Sequence, residues 1–218
     1  MGVGETVERA LLGWRRMRRE RQAGALGAYH RAGGDALLFR ELRVGSAQVV
    51  IDGGGYRGDW TAEALWRFGC RSAVYEPVPA FARGLRERFA CNDRVEIVEA
   101  ALGGAEGLLD LGLAGDGSSA FRAGGPRVQA RVVDAAAACA VPGIGCLKLN
   151  IEGGEYEVLE RLAAADRLRG IGALILQFHE LDAQSAARRA QAQALLVRTH
   201  LLRWDFPFVW ERWDLRQA

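Results

Sequence analysis

The chain has 218 residues, of which 50% are hydrophobic and 26% charged, and a formal net charge of +2. That balance describes one globular α/β domain of ordinary size with a sizeable core and excludes a disordered or fibrous chain. So small a net charge does not by itself argue for nucleic acid or an anionic membrane, no nucleic-acid partner is expected, and no apolar run is long enough for a membrane span.

Nearly all the positive charge is arginine, and Lys148 is the only lysine. The cysteines Cys70, Cys91, Cys139 and Cys146 form no C-x-x-C pair and lie in or beside apolar segments. They read as reduced thiols in a cytoplasmic setting, not as a disulfide framework. His30, His179 and His200 stand at no ligand spacing from them, so no metal site is expected. The first 22 residues are charged throughout and lack the apolar core of a signal peptide.

Residues from about Glu5 to Tyr29 read as a helix, with Val7, Leu11 and Trp14 near one face and Arg15, Arg16, Arg18, Arg19 and Arg21 crowding the rest. Such a basic face either meets an anionic acceptor or membrane surface or is simply solvated. Gly33-Gly34 breaks the pattern, which sets residues 1–34 apart as a basic helical extension and 35–218 as the main domain.

Short apolar runs then alternate with helical stretches. Strands are expected at Gln48–Ile51, Ser72–Tyr75, Val95–Val98, Cys146–Leu149 and Ala173–Phe178. Helices are expected at Thr61–Phe68, Ala80–Phe89, through Tyr156, Val158, Leu159 and Leu162, and from about Asp182 to Thr199. This alternation predicts a mostly parallel sheet with helices on both faces. Gly107 to Val133 reads as a hairpin-like insertion, and the aromatic tail from Leu201 to Trp213 as a terminal antiparallel strand pair.

The turn Asp52-Gly53-Gly54-Gly55-Tyr56-Arg57-Gly58 follows the first strand. A strand ending in glycines before a helix brings backbone close to a ligand. Gly53, Gly55 and Gly58 satisfy the dinucleotide pattern G-x-G-x-x-G, whereas Asp52, Gly54 and Gly58 satisfy D-x-G-x-x-x-G, the adenosylmethionine pattern. A carboxylate at the strand end repels a pyrophosphate and attracts a sulfonium, so Asp52 favours S-adenosylmethionine. Glu76, at the end of the second strand, suits a ribose in either ligand. Lys148, Asn150 and Glu152 alternate, which as a continued strand points them to one side. A lysine in an apolar central strand needs a partner, and Asp52, Glu152 or a substrate can supply it.

The segments VVIDGGGYRGDW, VYEPVPAF, VEAALGG, RVVDAAA and LKLNIEGGEYEVLERL resemble, in this order, the FkbM family of methyltransferases over about residues 47 to 180. The resemblance implies a class I, Rossmann-like methyltransferase fold and O-methylation of a sugar, glycolipid or natural product. It implies that Asp52, Gly54, Gly55 and Gly58 hold the methionine end of the cofactor, with Asn150 beside them. Glu76 and Pro77 then face the ribose, and Ala100 and Ala101 the adenine. Asn150 departs from the aspartate usual in the family, which keeps a non-catalytic relative in view beside a nicotinamide-dependent oxidoreductase.

For proton removal from an acceptor hydroxyl, His179 is the first candidate, Glu152 the second and Glu180 the third, with Lys148 part of the same polar cluster. The acceptor pocket is expected around Ser118-Ser119 and the tail aromatics Trp204, Phe206, Phe208, Trp210 and Trp213. Those aromatics are equally candidates for closing the core or for a homodimer contact. The expected acceptor is a small molecule, glycan or natural product.

Overall fold

The computed structural model describes residues 3–114, 117–119 and 127–217. In chain order the elements are α1 (Val3–Ala32), α2 (Ala36–Phe39), β1 (Val49–Gly53), α3 (Asp59–Phe68), β2 (Arg71–Tyr75), α4 (Pro79–Arg88), β3 (Val95–Val98) and β4 (Ala101–Gly103). They continue as β5 (Gly107–Ala114), β6 (Gly117–Ser119), β7 (Arg127–Asp134), α5 (Ala135–Ala138), β8 (Ile144–Leu149), α6 (Glu155–Ala164), β9 (Ala173–Leu176), α7 (Ser185–Leu196), β10 (His200–Phe206) and β11 (Trp210–Leu215). Among them no helix is long and apolar enough to cross a membrane.

The main sheet has seven strands in the order β10-β11-β9-β8-β1-β2-β3. Strands β3, β2, β1, β8 and β9 are parallel, and β11 runs antiparallel to both β9 and β10. The five expected parallel strands and the terminal antiparallel pair are therefore all present. Strand order reverses at β1 and β8, and the crevice beyond their carboxyl ends is where open α/β sheets receive ligands.

Side chains of successive strand residues fall on opposite faces, and the core divides accordingly. Ile51, Leu147, Leu149, Leu174 and Leu176 pack with Val158, Leu159 and Leu162 of α6 and Leu196 of α7. Val50, Cys146 and Ile175 pack on the other face with Ala64 of α3, Phe39 of α2 and Tyr29 near the end of α1. Each such aliphatic side chain contributes about 1.5–3 kcal/mol by burial. Tyr29 is locked further by a 2.9 Å hydrogen bond to Asp35 and an edge-on contact with Phe206.

The insertion is more than a hairpin. β5 and β7 pair antiparallel as expected, but β4 joins β7 in parallel and β6 joins β5, giving a separate four-stranded sheet β4-β7-β5-β6. A three-residue strand whose partner lies some thirty residues later leaves no periodicity to detect.

Candidate active site

The glycine turn is shaped by close packing against its neighbours. Gly54 has φ +81°, and a Cβ there would lie 2.0 Å from the Asn150 carbonyl oxygen. Gly58 has φ +82°, and its Cβ would meet Leu85 and Phe89 of α4. At Gly55 the obstacle is Val74 of β2, 2.2 Å from an added Cβ. The turn thus lies against β8, β2 and α4, and only Gly54 of these three lines the adjoining cavity.

Asp52 and Lys148 stand side by side on β1 and β8, facing α3. Asp52 is fully buried; its Oδ2 accepts from the Thr61 hydroxyl at 2.6 Å and its Oδ1 from Lys148 Nζ at 2.8 Å. Lys148 Nζ also donates to the carbonyls of Gly54 at 2.8 Å and Gly53 at 3.3 Å. The pair therefore fastens the first half of the glycine turn, and neither side chain lines the cavity.

Glu76 does line it, together with Pro77. One Glu76 oxygen accepts from the Tyr56 N–H at 2.8 Å and the other from the Val78 N–H at 2.9 Å. Burial raises its carboxyl above the usual range, against the lowering effect of those two N–H groups. Each carboxylate oxygen keeps a further acceptor position.

The chain beyond β8 does not continue the strand. β8 stops at Leu149, and Glu152 (φ +55°) and Gly153 (φ +111°) turn the backbone through left-handed conformations. The alternation expected for Lys148, Asn150 and Glu152 ends there: Lys148 points to Asp52, while Asn150 and Glu152 line the cavity. Glu155, fully buried at the start of α6, holds this turn by accepting from the N–H groups of Ile151 (2.8 Å) and Gly153 (3.0 Å). A side chain that satisfies such a turn offsets the strain of a non-glycine residue at positive φ.

The same Glu155 binds His179, whose Nδ1 lies 2.9 Å from its Oε1, while Nε2 lies 3.6 Å from Glu152 Oε1. Tyr156 of α6 fixes the segment by donating to the His179 carbonyl at 2.8 Å. Burial by itself depresses the imidazole, but the two glutamates outweigh it and push His179 up to about 10. Both ring nitrogens thus face glutamates, which favours the imidazolium form, and an imidazolium has no lone pair to accept a proton. Glu180, the third candidate, is buried against α1, with Arg21 at 3.4 Å and Arg18 at 3.9 Å.

The cavity holds about 490 Å³, within the range of about 300–1,000 Å³ usual for ligand pockets. Of the site residues expected from the sequence, it brings together Gly54, Glu76, Pro77, Ala101, Asn150 and Glu152; Asp52, Gly55, Gly58, Ala100, Lys148 and His179 stand behind its wall. The small sheet supplies an apolar side through Leu109, Leu111 and Val132, and Tyr56 with Phe81, 4.7 Å apart edge to face, supplies another. Sequence reasoning missed both. The leucines were visible as an apolar run, but nothing local signals that it folds over the sheet edge.

Four glutamates (Glu76, Glu106, Glu152 and Glu157) and no lysine, arginine or histidine occur among the described residues lining the cavity. The tail aromatics are absent from it. Trp213 and Phe208 are buried in the core, and Trp204, Phe206 and Trp210 pack against its second half. The side chains of Ser118 and Ser119, expected at the acceptor pocket, lie outside the described residues.

The Methyltransferase FkbM domain matches residues 52–206, more than two thirds of the chain. No curated protein matches in sequence. Among solved structures, a proposed rRNA-methylase from Clostridium thermocellum is 9% identical with a TM-score of 0.50, covering 80% of this chain and 89% of its own. A dimethyladenosine transferase from Plasmodium falciparum is 10% identical with a TM-score of 0.50, covering 82% and 60%. The 23S rRNA methyltransferase ErmE is 15% identical with a TM-score of 0.47; the match covers 81% of this chain and 65%, less than two thirds, of that one.

The two likenesses at a TM-score of 0.50 show a class I methyltransferase fold, and they correct the partner expected from composition. Proteins of this fold are named for RNA substrates, so neither the exclusion of nucleic acid nor the restriction to a small-molecule, glycan or natural-product acceptor stands. The physical reason is that a net charge averages over the chain: residues 1–32 carry seven arginines against three glutamates, net +4, which leaves −2 for the remainder. With the domain match spanning the glycine turn, Glu76 and the Asn150-to-Glu155 turn, and the sheet order to support it, the chain belongs to the FkbM family of methyltransferases.

Proposed function

We propose that the chain is an S-adenosylmethionine-dependent methyltransferase acting on a hydroxyl oxygen. The observation that carries the cofactor is the cavity wall, with its four glutamates and no basic side chain among the described lining residues. Such a wall suits a ligand that is cationic at sulfonium and ammonium and opposes a dinucleotide pyrophosphate. Asp52 adds nothing to that wall, since it is paired with Lys148 and does not line the cavity.

In this reading the free acceptor positions of Glu76 take the ribose hydroxyls, Ala101 and Leu102 flank the adenine, and Gly54 and Asn150 receive the methionine end. When bound, adenosylmethionine supplies a methyl group made electrophilic by its sulfonium. Glu152, on the cavity wall, is the carboxylate assigned to accept the hydroxyl proton. His179, held cationic, orients that carboxylate, and Glu155 fixes both through the turn it caps. Fixed geometry matters here because an in-line displacement depends on alignment of the reacting atoms.

The test is an acceptor screen with methyl-deuterated adenosylmethionine, offering hydroxylated small molecules and RNA and read by mass spectrometry. Label on oxygen is expected, and Glu152→Gln should lower kcat by about 10²–10⁴-fold while cofactor affinity is retained. Label found only on nitrogen or carbon contradicts the hydroxyl assignment. The absence of transfer to any acceptor supports the non-catalytic relative that Asn150 raises.

A further inference from the structure

We infer that the basic outer face of α1 is a docking surface for the phosphate backbone of single-stranded RNA. The charge of this protein is segregated: net +4 lies within residues 1–32 and net −2 in the rest, so the α1 segment carries an excess of positive charge that attracts a polyanion. Arg15 and Arg19, one helical turn apart, are exposed on it. Arg18 and Arg21 of the same helix reach Glu180, at 3.9 and 3.4 Å, and Arg21 also lies over the Phe208 ring at 6.0 Å. Glu180 directly follows His179, so the helix is tied to the sheet edge beside the candidate active site.

Geometry favours a strand of RNA over a bilayer. A helix that lies in a membrane surface needs a free, continuous apolar face. On α1 the apolar residue Tyr29 is 2% exposed and packed on Phe206, so the C-terminal end of that face is occupied by the domain itself. Outward, the exposed large apolar side chains among the described residues of α1 are Leu12, Met17 and Leu26, which are widely spaced, with Arg19 midway between Leu12 and Leu26. Trp14, half-buried beside Arg18 with the guanidinium 5.6 Å from its ring, adds an aromatic surface of the kind on which unpaired bases stack. The choice of RNA over DNA rests on the proposed hydroxyl chemistry, because only RNA offers a 2′-hydroxyl on each nucleotide.

The test is fluorescence anisotropy of a labelled mixed-sequence single-stranded RNA 20-mer with the full chain, between 50 and 200 mM salt. Wild type is expected to bind, with affinity falling as salt rises. Single-stranded binding loses about 0.7 of log-log salt slope per phosphate contact removed. Arg15→Gln/Arg19→Gln should therefore reduce the slope by about 1.4 and weaken binding at 50 mM salt. The control Arg83→Gln/Arg169→Gln removes the same charge from exposed sites elsewhere and should leave the slope unchanged. Equal slopes for the two double variants overturn the inference, as does no RNA binding by wild type. Binding to anionic phospholipid vesicles without RNA binding, or preference for DNA of the same sequence, overturns it too. Adenosylmethionine binding, measured separately, bears only on the proposed function.

Discussion

Replacing Lys148 with methionine isolates the ion pair beneath the glycine turn. Lys148 Nζ donates to Asp52, Gly53 and Gly54, and its removal leaves a fully buried Asp52 carboxylate with only the Thr61 hydroxyl. Breaking one partner of a buried pair costs about 3–5 kcal/mol, because the remaining charge stays desolvated. Against a total stability of about 5–15 kcal/mol, that is a large share. For a chain of this size, about 2–4 °C of Tm per kcal/mol gives a fall of about 6–20 °C. Urea unfolding by linear extrapolation reads the same loss directly. Asp52→Asn combined with Lys148→Met removes both charges, so the double variant should recover much of the stability lost by Lys148→Met alone. A loss below about 1 kcal/mol for Lys148→Met, or no recovery in the double variant, would refute the reasoning.

Three further results are expected. His179, raised from 6.5 to about 10, should remain protonated through neutrality in a proton NMR titration of the three histidines, whereas burial holds His200 below its ordinary range. A folded-state pKa above the unfolded value means that this contribution to stability is full below about 6.5 and is lost as pH rises through about 10. Glu152→Gln should lower the His179 pKa by about 1–3 units, and wild-type titration near 6.5 would sink the assignment. Gly54→Ala should destabilise the chain by more than about 1–2 kcal/mol, since it adds a left-handed strain to a backbone clash. By contrast Gly84→Ala, inside α4 with open space around it, should stabilise by about 0.5–1 kcal/mol; thermal melts that rank the two the other way would count against the packing described.

Much of the frame was legible because its causes are local. The apolar runs of β1, β2, β3, β8 and β9 carry their own length and punctuation, and the ends found in the structure differ from those expected by at most two residues. The cavity-lining pair Glu76 and Gly54 was legible for the same reason, since strand ends and glycines mark themselves. What depended on distant neighbours was not. That Asp52 is fully buried and held by Thr61 of α3 and Lys148 of β8 could not be read from its place at a strand end. Nor could the sequence show that Glu155, 24 positions before His179, lies against its Nδ1. Glu155 itself had a sufficient local explanation as an acid at a helix start, which concealed that it caps the Ile151-to-Gly153 turn. The aromatic tail reads alike whether its rings face a ligand or the core; only the pairing of β11 with β9 turned Trp213 inward.

The central claim is that this glutamate-lined cavity holds S-adenosylmethionine, and isothermal titration calorimetry with adenosylmethionine and NADH in parallel tests it most directly. The account predicts micromolar-range binding of adenosylmethionine, abolished by Glu76→Ala, and no binding of NADH. Binding of NADH alone, or adenosylmethionine binding unaffected by Glu76→Ala, would contradict it.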